Sequence, residues 1–479
     1  MHDLLLISDL HLGSHLKPRM RGEFVHLASR IEQSFPRFID HYLCEGQWQL
    51  VINGDFIDFW NVDLPDHVGE TGERLAVRQL HAVFDAHPRV EDSLARFLRA
   101  GHGIVFVTGN HDAELLYAGV REALVDRLEG AMADEQDNDA STTRTGMVRL
   151  DAMRPGRIRF VRWFLREEGG AWIEHGHKFD PSCATPAAMS PTRGGTLVQT
   201  VAEVATRNFS NLMPEIDYDA PDKFTGMDYV RWALARGWRF VVRVILLYLR
   251  TLGRILALWA ATGRVDEHGR KAHEQRLARV AANAGLQMSA LTALEQMAPP
   301  PSVLTVGGIL SLTALDHLLS ALLPTPICLW IASWFGVSGW WGLLAGLAVS
   351  TTSIYWIRQG RRPRDVARDM AEVAARVGDV TGVPLVLMGH SHHGELERQG
   401  DVVYANSGSW LDGSHLYVRR DRASGKLVEV ELRQWRNGGI TLVDAMDVPH
   451  ATPAAANAED DAPIGAHSPE SSTPIASAG

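Results

Sequence analysis

Cysteine is scarce in this chain of 479 residues: there are three, Cys44, Cys183 and Cys328, far apart and with no CxxC pair. That leaves no disulfide framework and points to a reduced, cytoplasmic setting. Positive charge is also short. Lysine and arginine number 47 against 57 acidic residues, a net charge of −10. The chain has no broad phosphate-neutralising surface, which argues against a general nucleic-acid binder and leaves only a local basic patch open. The start, MHDLLLISDLHLG, has no basic leader region and meets Asp9 after a few apolar residues. It reads as a first strand rather than a signal peptide. Length is not lacking: the chain can hold two or three domains, or one large domain with insertions.

Six short runs rich in Val, Ile and Leu read as buried strands: LLLIS (4–8), QLVIN (49–53), GIVFVT (103–108), AWIE (171–174), VPLVLM (383–388) and VVYAN (402–406). Helical patterns such as Phe24–Cys44 and Asp92–Ala100 lie between the early ones. The first five runs end at once in polar sequence: SDLH, GDFID, GNHD, HGHKFD and GHSHH. In open α/β sheets ligands gather beyond the carboxyl ends of strands, so these five ends can share one crevice.

Residues 215–362 interrupt that rhythm and read as an inserted helical module between 1–214 and 363–447. Arg239, Arg243, Arg250 and Arg254 fall on one face of a helical pattern. This suits a helix on an anionic membrane surface, the alternative being a basic-faced helix packed on the protein's own domain. From Met297 to Ile357 the only charged residue is Asp316. The run is long enough for a transmembrane hairpin at about 303–357, with spans near Val303–Leu323 and Ile327–Ile357 and a turn at PTP (324–326). Interfacial aromatics would be Trp330, Trp334, Trp340, Trp341, Tyr355 and Trp356, and the basic RQGRRPR (358–364) would mark the cytoplasmic end. Within a membrane Asp316 must be protonated, paired or turned toward another helix. A hydrophobic hairpin buried in, or dimerising, a soluble protein is the other reading. Residues 448–479, rich in Ala, Pro, Ser and Asp, read as a disordered tail.

A dinuclear hydrolytic site needs hard oxygen ligands and imidazoles, with one carboxylate shared between cations about 3.5–4 Å apart. Asp9 and His11 are alternate residues at a strand end and so point the same way. Asp55 can bridge, Asn110 offers a carbonyl oxygen, and His390 and His392 supply further imidazoles. Gly54, Gly109 and Gly389 directly precede three of these residues, where a Cβ would crowd a tight turn.

Taken in order, DLH (9–11), GDFID (54–58), GNHD (109–112), HGH (175–177) and GHSH (389–392) resemble the motif series of the calcineurin-like metallophosphoesterases. The resemblance covers roughly 1–215 and 365–440 and leaves out the hydrophobic insertion. It implies an α/β fold, an αββα sandwich of two mixed sheets, and two divalent cations, manganese first with iron or zinc as alternatives. One cation would be held by Asp9, His11, Asp55 and His392. The other would be held by Asp55, Asn110, His390 and one histidine of HGH, with His175 favoured over His177, which would then lie behind the ligands or face substrate. His111 is implied as general acid or phosphate-binding group, with Asp112 or Asp58 to orient it. Asn406, in NSGSW (406–410), falls where the family keeps a Gly-rich turn beside the site; it either contacts substrate or belongs to an ordinary turn.

Within that family the chain is similar to the UDP-2,3-diacylglucosamine hydrolases, which split the pyrophosphate of a lipid-linked nucleotide sugar at the membrane surface. It departs from them at His111, where they commonly carry Arg, and in its hydrophobic insertion. The resemblance implies a hydrolase of a phosphodiester, pyrophosphate or phosphomonoester, lipid-linked or nucleotide. Its place would be the cytoplasmic face of the inner membrane, with lipids as partners. A nuclease or general phosphodiesterase is the enzymatic alternative. An inactive membrane-anchored scaffold is the other, and the complete set of ligand positions argues against it.

Overall fold

Leu4, Leu5, Leu6 and Ile7 are all buried in the first strand, because side chains alternate between two faces and both faces are covered. The structure, a computed structural model, describes residues 2–16, 23–43, 46–64, 70–139, 157–213, 226–260, 265–313, 315–360 and 366–449. The expected disordered tail beyond residue 449 and the basic run from 361 to 364 lie outside the described residues.

The chain is a mixed α/β protein with mixed sheets. Strands β1 (Asp3–Ile7), β2 (Trp48–Asn53), β3 (Gly103–Val107) and β4 (Ile158–Val161) pair in parallel. Strand β5 (Phe164–Glu167) turns back antiparallel on β6 (Ala171–Glu174), and β7 (Thr192–Arg193) with β8 (Thr196–Leu197) makes a small separate hairpin. Beyond the insertion, β9 (Leu385–Met388) runs parallel to β6 on one side and to β11 (Val402–Ser407) on the other, and β10 (Gly394–Gln399) closes that edge. Then β12 (Ser414–Arg420) returns antiparallel to β1, and β13 (Leu427–Arg436) and β14 (Gly439–Asp447) continue outward. The result is a seven-stranded sheet, β14-β13-β12-β1-β2-β3-β4, and a five-stranded sheet, β10-β11-β9-β6-β5.

The two sheets close on one apolar layer. Leu4, Leu6, Val51, Val105 and Val107 of the larger sheet cluster with Ile173, Leu385, Leu387 and Val403 of the smaller. Val448, just past β14, is tucked into the same layer. The opposite face of the larger sheet, with Leu5, Ile7, Ile52 and Phe106, packs against helices α1 (Glu23–Leu43), α2 (Gly72–Ala86), α3 (Pro88–Arg99) and α4 (Ala118–Asp139). Helices α5 (Val201–Asn208), α6 (Gly226–Ala235) and α7 (Trp238–Ala260) follow. The outer face of the smaller sheet is covered by α8 (Glu267–Ala284) and α9 (Met288–Met297), and by a later helix that supplies Met370, Ala374 and Val377.

The apolar insertion then runs through α10 (Val306–Thr313), α11 (Leu315–Leu322), α12 (Pro324–Trp334) and α13 (Gly339–Gly360), and α14 (Val366–Thr381) leads into β9. The turn expected at 324–326 is not there. Leu323 keeps helical angles, φ −83° and ψ −38°, and Leu315–Trp334 is one helical stretch of 20 residues. Pro324 occupies the first turn of α12, where an absent N–H costs nothing. The reversal falls at 335–338 instead. Gly336 takes φ 62°, its N–H reaches Ser333 O, and the Val337 N–H reaches Ala332 O at 2.9 Å, a Schellman cap. Among the described helices, Leu315–Trp334 is long and apolar enough to cross a membrane, and almost none of it is buried. Trp330, Trp334, Phe335, Trp340, Trp341, Tyr355 and Trp356 are exposed. Asp316 lies in the first turn of α11, where its Oδ1 accepts the His317 backbone N–H at 2.8 Å and lies 3.1 Å from His317 Nδ1.

Candidate metal centre

The polar ends of β1, β2, β3, β6 and β9 meet, and they do so on unusual backbone. Asp9 and His11 after β1, Asp55 after β2, and His390 and His392 after β9 all take left-handed angles, φ 55°, 51°, 53°, 67° and 56°. Of the other described non-glycine residues only Ala187 and Asn437 do the same. Such angles cost on the order of 1–3 kcal/mol per residue, and here they fall on five of the candidate ligands. Backbone bonds tie the turns together: Asp9 N–H to Gly54 O at 3.2 Å, His11 N–H to Asp55 O at 2.9 Å, and Gly389 N–H to His175 O at 3.0 Å. A Cβ on Gly109 would fall on the Asp55 carboxylate, and one on Gly54 would fall on the His175 ring.

Two clusters take in six of the seven candidate ligands. In one, Asp9 Oδ1 lies 3.1 Å from His392 Nε2 and 3.9 Å from His11 Nε2, and the two imidazole Nε2 atoms are 3.4 Å apart. In the other, Asp55 Oδ2 lies 3.3 Å from His175 Nε2, with His390 alongside. The His175 Nδ1–H donates to the Asn53 carbonyl at 2.7 Å, so Nε2 is the nitrogen left to face Asp55. Asp9 Oδ1, Asn110 Oδ1 and His175 Nε2 are buried without a hydrogen bond of good geometry among the described residues. Buried polar atoms are ordinarily satisfied, and a cation is the partner this donor set fits. Buried Asp/His clusters able to hold metal ions are therefore present.

His177 stays outside both clusters, its ring centroid 5.5 Å from that of His175 and 6.5 Å from that of His390. The acid that holds His111 is Asp58: Nδ1–H donates to Asp58 Oδ1 at 2.8 Å, and Trp60 stacks on the imidazole with centroids 3.9 Å apart. Asp112 does not touch that ring. Its carboxylate accepts N–H bonds from Gly109 (2.6 Å) and Phe56 (2.9 Å), so it braces the turn that carries Asn110. Asn406 is fully buried; it donates to Gly389 O at 2.8 Å and accepts the Gly408 N–H at 3.0 Å, shaping the loop before His390.

Electrostatics follows from this crowding. Burial opposes charge on Asp55 and Asp9, yet His175 and His111 hold the Asp55 carboxyl, and His392 and His175 the Asp9 carboxyl, well below the usual range. Burial also opposes the His111 cation, but Asp58 and Asp55 outweigh it and raise that imidazole above its ordinary value. His11 is pushed down to about 4 by burial and by the neighbouring His111.

Several participants carry no motif. Ser8 bonds to Asp9 Oδ2, to Ser407 Oγ at 2.7 Å and to Gly408 O at 2.9 Å, which locks the NSGSW turn under β1. Trp60 and Asp180 stand inside or beside stretches read only as polar turns, and Asp180 Oδ2 lies 3.5 Å from His390 Nε2. A cavity opens beside Asn110 and His175, lined also by Trp60, Leu116, Arg162, Trp163 and Leu197. No family model matches the chain, and no curated protein matches it.

Proposed function

We propose that the chain is a metal-dependent phosphoric ester hydrolase of the calcineurin-like metallophosphoesterase type, working with two divalent cations, manganese foremost. The observation that carries this is the concentration of left-handed backbone on Asp9, His11, Asp55, His390 and His392, whose side chains converge from three separate strand ends. The helix, sheet, sheet, helix packing fits the αββα sandwich expected from the motifs. Asp9, His11, Asp55 and His392 would hold one cation, and Asp55, Asn110, His390 and His175 the other. When bound, such cations neutralise phosphoryl charge and acidify water for attack on phosphorus.

The protein's own groups supply the remainder. His111 keeps its Nδ1–H on Asp58, and its other nitrogen carries the proton that the leaving oxygen takes. Trp60 fixes the ring plane. Asn53 O fixes the His175 tautomer, and Asn406 and Asp112 hold the turns. The cavity beside His175 receives the ester substituent.

The hairpin of α12 and α13 would anchor this site at the cytoplasmic face of the membrane, its exposed tryptophans at the interface. Helix α7 also exposes Trp238, Ile245, Leu246, Leu249 and Trp259, as a helix lying in that surface requires. A lipid-linked or nucleotide phosphoester is the substrate class this placement favours. The test is hydrolysis by detergent-purified protein with manganese, wild type beside Asp55→Ala, on a bis-aryl phosphodiester, an aryl monoester and a UDP-linked diacyl sugar. Cleavage that vanishes in the variant supports the reading, and the preferred ester names the class. Equal cleavage by both proteins, or none with any of the three, would count against it.

A further inference from the structure

A turn beside the centre presents an acid and a thiol that neither of the two metal clusters uses. Residues Asp180, Pro181, Ser182 and Cys183 close a turn in which the N–H groups of Cys183 and Ala184 both donate to Asp180 O, at 3.0 and 2.8 Å. Asp180 Oδ1 accepts the Ser182 N–H and hydroxyl, both at 2.8 Å. The other oxygen, Oδ2, is left 3.5 Å from His390 Nε2. The same turn carries the Cys183 sulfur inward. One donor atom from each of Asp180, Cys183 and His390 lies within 4.8 Å of the other two. Cys183 is 6% exposed, and it lines the cavity that runs past His175 and His177, which gives an ion a route in.

We infer that Asp180, Cys183 and His390 form an additional cation site of sulfur, oxygen and nitrogen donors, selective for a zinc-like ion. Thiolate and imidazole together favour zinc or cobalt, whereas the all-oxygen-and-imidazole clusters beside it suit manganese equally well. Three protein donors leave a fourth tetrahedral position open. On binding, the sulfur lone pair goes to the ion and the thiol proton leaves to solvent. His390 is shared with the Asp55 and His175 cluster, so an ion on the sulfur side draws that imidazole away from its neighbour. Zinc in excess would then lower the manganese content of the protein.

The site needs no hydrolysis to exist, and its test reads none. Full-length protein in detergent is titrated with Co2+ alone while the near-ultraviolet sulfur-to-cobalt charge-transfer band is followed. Wild type develops the band, Cys183→Ser loses it while still binding cobalt, and Asp180→Asn needs roughly 10- to 100-fold more cobalt to reach it. His11→Ala, which removes an imidazole of the opposite cluster, keeps it. Absence of the band in wild type, or an undiminished band in Cys183→Ser arising from Cys44 or Cys328, would overturn the site. A band without any phosphoester hydrolysis would leave this site standing while the hydrolase reading fell.

Discussion

His111 is adjacent in sequence to a candidate ligand, and its surroundings suit the proton-carrying role proposed for it: one ring nitrogen on Asp58 and a face on Trp60. His111→Ala should therefore keep its bound metal and lose about 10²- to 10⁴-fold in kcat, checked by metal analysis beside turnover. Asp58→Asn should keep the metal too and lower kcat by less, with the alkaline limb of the pH profile moving down as the imidazole loses its carboxylate. Seven candidate ligands were legible because each motif couples a strand end to a glycine or an alternate-residue pair. The choice between Asp58 and Asp112 was not. Both lie within reach in sequence, and only the folded turn sends the Asp112 carboxylate to the Gly109 and Phe56 amides. A third acid tests the cavity. Burial pushes Glu114 up to about 8, with Arg207 opposing and Glu203 adding. Its folded value lies above the ordinary 4.5, so the folded state holds the extra proton and stability declines as pH rises from about 4.5 to 8. Glu114→Gln should consequently melt about a few degrees higher than wild type at pH 8 and show less gain at pH 5, by calorimetry.

Among the elements, the fully buried strands were readable as unbroken apolar runs, since a parallel strand covered on both faces has no polar alternation. Strands β4, β5, β10, β12, β13 and β14, and the two-residue β7 and β8, were missed, the longer ones for the converse reason. Strand β14 is largely exposed, Glu395 and Glu397 break the apolar pattern of β10, and Glu429 and Glu431 that of β13. The helical reversal was misplaced because two prolines read as a breaker, although a first-turn proline is compatible with a helix and Gly336 was the true stop. Helix α13 packs against α12 so closely at Gly346 that a Cβ there would strike the Thr325 backbone. Gly346→Leu should splay the pair and expose the 335–338 turn to protease, whereas Ser338→Ala, in the turn itself, should leave the cleavage rate unchanged. Equal protection in both variants would show that the helices do not depend on that contact.

For the molecule as a whole, a hairpin with large exposed tryptophans is attached to a site built from both sides of it in sequence. Replacing 315–360 with a short polar linker should move the protein from a carbonate-resistant membrane fraction to the soluble fraction while its cation content stays unchanged. Retention in the membrane after that replacement would shift the anchoring role to α7.

The sheet order has a further result, and it concerns time. Strand β9 sits between β6 and β11, and β12 borders β1, so neither sheet closes until chain beyond the insertion has been made. Between residues 213 and 366 a ribosome working at about 5–20 residues per second needs roughly 8–30 s. Throughout that interval Asp9, His11, Asp55 and His175 exist without His390 and His392, beside unpaired strand edges, while the hairpin emerges first. A stalled nascent chain ending near residue 365 should thus be protease-sensitive in β1–β3, with resistance appearing once synthesis passes β12. On the proposed membrane reading, anchorage would precede metal competence in the life of every copy, and an interrupted translation product would reach the membrane with no usable centre.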